Sequence, residues 1–171
     1  MKGQAKRIIN AVNIDVFGKM PDRRNLTVVT CLDKRHSKED VIVHMELFKK
    51  HLKNPFEYVC ISDRPINGIR TAKPSGISEK FQALEAFRKD VQDSDGVTLY
   101  VSLDTIPVDD IELCDVPGMF IGMLNPRHSK IMSDAWKIYV CDAILFSGDF
   151  SFVHENYVSS SCPFNQRKAF T

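Results

Sequence analysis

Apolar and polar positions fall along this chain in blocks whose periods predict successive elements. Leu26 to Leu32 is a β-rich run without a polar face, the pattern of a strand covered on both sides of a parallel sheet. A charged loop follows, formed by Asp33, Lys34, Arg35 and His36. Ser37 then stands as a helix N-cap, with the acids Glu39 and Asp40 in the first turn. Val41, Met45, Phe48 and Leu52 recur at spacings of four, three and four, which places them on one helical face that ends at Asn54 and Pro55. Phe56 to Ser62 reads as the next strand, closed by the turn Asp63, Arg64, Pro65.

The same alternation continues. Ser78 predicts the cap of a second helix whose Phe81, Leu84, Phe87 and Val91 share a face, and Asp93 to Gly96 ends it. Val97 to Leu103 is an apolar strand that delivers Asp104 and Thr105 at its C-terminal end. Gly118 to Leu124 and Ile138 to Phe146 read as two further strands. Strands alternating with helices predict an α/β layered fold, in which ligands bind at the carboxyl ends of the strands.

Composition narrows the class. The 171 residues, 43% hydrophobic and 26% charged, suit one domain able to bury a core, and exclude a disordered or collagen-like chain. No apolar run approaches the roughly 18 residues of a membrane span, so no membrane partner and a cytoplasmic location are expected. Cys31, Cys60, Cys114, Cys141 and Cys162 are odd in number and show no short metal spacing, which fits reduced structural thiols. Residues 1–25 carry six bases against two acids, whereas 26–156 carry fifteen against twenty. The chain therefore divides into a basic N-terminal arm (1–25), a central domain (26–156) and a C-terminal tail (157–171). A basic arm suits a polyanion such as DNA, or simply a solvated terminus. His44 and His51 read as surface residues.

The common phosphate-loop, zinc-protease and nucleophile-elbow motifs are absent. What remains is an ordered series: Val29, Thr30, Cys31, Leu32 ending a strand; Cys60, Ile61, Ser62, Asp63 ending the next; Ser78, Glu79, Lys80, Phe81 opening a helix; and Leu99, Tyr100, Val101, Ser102, Leu103, Asp104, Thr105. Over residues 26–150 this series resembles the GT-A nucleotide-sugar glycosyltransferases, above all their small bacterial, phage-type and glycogenin-like members. The resemblance implies the GT-A fold, with a mixed, mostly parallel central sheet flanked by helices. It also implies transfer of a sugar from a nucleoside diphosphate donor, UDP-linked by preference, to an acceptor hydroxyl that hydroxylated DNA could supply.

Carried over position by position, the resemblance gives Thr30, Cys31 and Leu32 to the nucleoside pocket. It gives Asp63 to the base or ribose, and Lys80 to the diphosphate. Ser102 and Asp104 fall where the family has two carboxylates one residue apart that hold Mn²⁺ or Mg²⁺. Ser102 is neutral, so Asp104 is left as the implied metal ligand, with His154 the one late histidine available to join it. Cys141, Asp142 and Ala143 replace the stretch that lies beside the donor sugar, and Asp142 is the carboxylate suited to positive charge developing at the anomeric carbon. The departures also admit a relative that keeps the fold without catalysis, and the arm admits a nucleic-acid-binding module. As turn formers, Asp63 and Asp104 would need no such role.

Overall fold

The computed structural model describes residues 25–113, 120–124 and 141–159. Six strands, β1 (Leu26–Cys31), β2 (Phe56–Ile61), β3 (Arg70–Ala72), β4 (Val97–Val101), β5 (Phe120–Leu124) and β6 (Cys141–Ser147), form one sheet in the order β3-β2-β1-β4-β6-β5. β1 pairs parallel with both β2 and β4, and β2 pairs parallel with β3. β6 runs antiparallel between β4 and β5, so it alone opposes the other five strands. The expectation of an α/β fold with a mostly parallel sheet holds.

The side chains of β1 explain the layering. Successive residues of a strand point to opposite faces. Leu26 and Val28 join a core with Tyr58, Leu99 and, from helix α1 (Lys38–His51), Val41, Met45 and Phe48. Val29 and Cys31 join a second core with Val59, Tyr100, Ile144 and Phe146, covered by Ala83, Leu84 and Phe87 and by helix α2 (Ser151–Ser159) through Val153 and Tyr157. Every residue of β1 is buried, as a run without a polar face requires. The start of α1 is the one anticipated: Ser37 and Asp40 form a reciprocal capping box.

The expectations for the second helix and for His44 need correction. The second helix is a 3₁₀ stretch, Glu79–Phe87, kinked at Phe81, and Ser78 makes no side-chain capping bond. The apolar face is nonetheless used, with Leu84, Phe87 and Val91 buried. His44 is buried at 2% exposure instead of lying on the surface. The short strand β3 and the helix α2 carry too few periodic positions to predict. Residues 1–24 of the basic arm and 160–171 of the tail lie outside the described residues, as do Cys114 and Cys162. No described helix is long and apolar enough to cross a membrane.

Candidate functional site

The chain passes from β1 to β2 and β3 on one side, then returns to place β4 on the other side of β1. Strand order therefore reverses between β1 and β4, the kind of switch point whose carboxyl edge binds ligands in open α/β sheets. At that edge stand the loop after β1 (Asp33 to His36), the loop after β2 (Ser62 to Pro65) and the residues after β4 (Ser102 to Thr105). β6 runs the other way, so its first residues come to the same edge. The Ser102 amide donates to the Asp142 carbonyl at 2.8 Å.

A cleft of about 720 Å³ opens beside β1 and β2. Its walls include Cys31, Leu32, Asp33, His36, Asp63 and Glu85. Of the nucleoside-pocket residues implied by the resemblance, Cys31, Leu32 and Asp63 thus share one cleft. Thr30 does not line it, being fully buried within the sheet. Cys31 donates its thiol to the Gln82 carbonyl at 3.4 Å, and burial pushes its pKa far up. Burial likewise pushes the Cys60 thiol up to about 12, so both cysteines remain protonated packing groups and not nucleophiles. Lys80 sits in the 3₁₀ stretch, and its side chain lies outside the described residues.

At the edge of the cleft, the side chains of Asp33, Arg35, His36 and Asp104 form a closed group. The Arg35 guanidinium donates through Nε and Nη2 to Asp33 Oδ2 at 2.9 and 2.7 Å, and through Nη2 to Asp104 Oδ2 at 2.8 Å. His36 meets Asp33 Oδ1 with Nδ1 at 2.7 Å and Asp104 Oδ1 with Nε2 at 3.2 Å. The Asp33 side chain is 7% exposed against 51% for Asp104. Burial alone would raise the Asp33 pKa, but hydrogen bonds from Arg35 and His36 outweigh it and hold the carboxyl below the ordinary range. The same bonds keep Arg35 charged. A strand end ending in Asp33, followed by Arg and His, was the available signal, since the switch-point rule applies to β1 as much as to β4.

Whether these residues fit a divalent cation follows from the donor set. Ser102 supplies a hydroxyl, and that hydroxyl accepts from the backbone N–H of Asp104 at 3.3 Å. Both oxygens of Asp104 are already engaged, one by Arg35 and the other by His36. His154 bonds the Ser75 hydroxyl at 3.2 Å, with Glu85, Arg88 and Asp90 as its charged neighbours, and shares no described partner with Asp104. Among the described residues no three of His, Cys, Asp or Glu converge as a metal site. The set does not fit the metal that the resemblance implies.

Asp142 stands one register position before the Val101–Ala143 pair. It falls at the register shift between β5 and β6 and acts electrostatically on Tyr100 of the cleft-side core. Glu85, absent from the sequence reading, is a buried wall residue that accepts from the Ser75 amide and hydroxyl and pairs with Arg88 at 2.9 Å. Neither protein-family models nor curated proteins give a match for this chain.

Proposed function

We propose that this chain is a GT-A-type glycosyltransferase that moves a sugar from a nucleoside diphosphate donor, UDP-linked by preference, to an acceptor hydroxyl. One observation carries the reading: an open cleft and a cluster of polar and charged side chains meet at the switch point, where Asp63, then Ser102 and Asp104, then Asp142 come from three separate stretches of chain to one sheet edge. A sheet with a single opposed strand, flanked by helices on both faces, supports the GT-A assignment.

In this reading the nucleoside lies in the cleft against Leu32 and Asp63, with the diphosphate toward β4. The acceptor oxygen bonds to the anomeric carbon as the bond from that carbon to the phosphate oxygen breaks. That electron pair leaves on the nucleoside diphosphate, and the acceptor proton passes to solvent. Asp142 supports the positive charge that develops on the sugar, and nearby cations support the negative charge on the leaving group. A second reading, a protein that binds the donor without turning it over, is favoured by Ser102 in place of a carboxylate.

A thermal-shift panel of nucleoside diphosphates and nucleotide sugars tests the proposal, because a ligand that binds the folded state raises the melting temperature. At least one nucleotide should raise it at millimolar concentration. No shift with any of them removes both readings.

A further inference from the structure

We infer that Arg35, assisted by His36, takes the place of the divalent cation at this site and neutralises the donor's diphosphate directly. The inference rests on the glycosyltransferase reading and deepens it. A metal site of the usual kind sets two carboxylates against two positive charges on one ion. Here two carboxylates, Asp33 and Asp104, are set against the Arg35 guanidinium and the His36 imidazole. All four carboxylate oxygens are engaged: Asp33 Oδ2 and Asp104 Oδ2 by Arg35, Asp33 Oδ1 and Asp104 Oδ1 by His36. Both nitrogens of His36 face carboxylate oxygens.

The assembly is rigid where it needs to be. The Arg35 backbone N–H bonds Asp33 Oδ1 at 2.9 Å, and Asp33 is itself buried, so the guanidinium is held from below. Arg35 is two-thirds exposed above that anchor, and its Nη1 has no partner among the described residues. A planar guanidinium with free donors matches two phosphate oxygens, a geometry an ammonium group cannot reproduce. His36 lines the cleft itself, and Arg35 lies between two lining residues, Lys34 and His36. The first turn of α1 begins immediately after, adding the positive end of a 14-residue helix. Against this arrangement the neutral Ser102 is no defect, because a second carboxylate there would have no ion to hold.

Isothermal titration with the four common ribonucleoside diphosphates, in EDTA and again in Mn²⁺, tests the inference. The tightest binder should bind equally well in both conditions. Arg35→Ala should weaken it about tenfold or more, the scale of a lost charge-assisted bond, and Arg35→Lys should recover only part of that loss. Asp104→Asn supplies a variant of opposite sign. Removing that carboxylate frees Arg35 Nη2, so binding in EDTA should be retained or tightened, whereas a metal ligand's loss would abolish it. Binding that requires Mn²⁺, or that survives Arg35→Ala and is lost in Asp104→Asn, overturns the inference and leaves the glycosyltransferase reading in place. No binding in either condition overturns both.

Discussion

His44, buried on α1, meets the carbonyl of Thr105 through Nε2 at 2.9 Å, while its Nδ1 lies 2.6 Å from the Tyr58 hydroxyl. A carbonyl only accepts, so Nε2 carries the hydrogen and Nδ1 receives the one from Tyr58. Thr105 directly follows Asp104. A core imidazole, tied to β2, therefore fixes the strand end that carries an exposed carboxylate of the candidate site. The same loop is held farther on, where the Ile111 amide donates to the His51 carbonyl at 2.8 Å and the Leu113 amide to Asn54 Oδ1 at 2.8 Å.

Replacing that imidazole should cost both stability and ligand binding. His44→Phe keeps the volume but leaves the Thr105 carbonyl and the Tyr58 hydroxyl without their partner, at a cost of about 1–3 kcal/mol. The loss should appear in urea unfolding. Nucleotide-sugar binding should weaken in the folded variant as well, because the strand end that holds Asp142 through the Ser102 amide loses its support. Unchanged binding would mean that the loop holds its place without His44.

Stability should fall on mild acidification. Burial, against the upward pull of backbone groups at Thr105 and Ser102, lowers the His44 pKa below its ordinary 6.5. Burial lowers His154 in the same direction. The unfolded chain then takes up protons that the folded chain refuses, so this contribution is complete above pH 6.5 and is lost as pH falls toward the folded values. Melting temperatures followed from about pH 7.5 to 5 should decline, and His44→Phe should flatten the decline. An equal slope in wild type and variant would contradict this.

The Glu85–Arg88 pair supports the cleft wall from within. Their side chains are 4% and 13% exposed, and Arg88 also pairs with Asp90 at 2.6 Å and donates to the Lys73 carbonyl. Arg88→Met strands a buried carboxylate and should destabilise the fold by about 3 kcal/mol. The double variant Glu85→Gln, Arg88→Met should recover part of that loss, because the charge left without Arg88 is then only that of the exposed Asp90. Denaturant midpoints of the wild type and the two variants decide it.

Much of this architecture was legible because burial leaves a direct trace in the sequence. β1 and β4 are apolar on both faces because both faces are covered, and α1 announces its start through Ser37 and Asp40. The 3₁₀ stretch was misread for a physical reason. Its apolar residues satisfy helical spacing, while Phe81, where the kink falls, packs on Tyr157, 76 positions along the chain and beyond any local pattern, with ring centroids 5.8 Å apart. His44 misled because polarity predicts exposure, and only the structure supplies Tyr58 and Thr105 as partners. The site was half visible. Asp104, Asp63 and Asp142 came from the resemblance, whereas Arg35 and His36 acquire meaning only when the sheet order sets β1 beside β4.

Ser102→Asp offers a gain-of-function check on the site's electrostatics. A second carboxylate next to Asp104 exceeds what Arg35 and His36 neutralise, so the variant should acquire an Mn²⁺-dependent rise in melting temperature that the wild type lacks. The same rise in both proteins would place a metal site in the unmodified chain.

Release of nucleoside diphosphate from nucleotide sugars, with water as the acceptor, is the sharpest test of donor turnover at this site, because it requires donor binding and leaving-group stabilisation but no knowledge of the acceptor. The account predicts slow release from at least one donor, undiminished by EDTA and reduced by Arg35→Ala and by Asp142→Asn. Absence of release from every donor, together with absence of nucleotide binding, would contradict it.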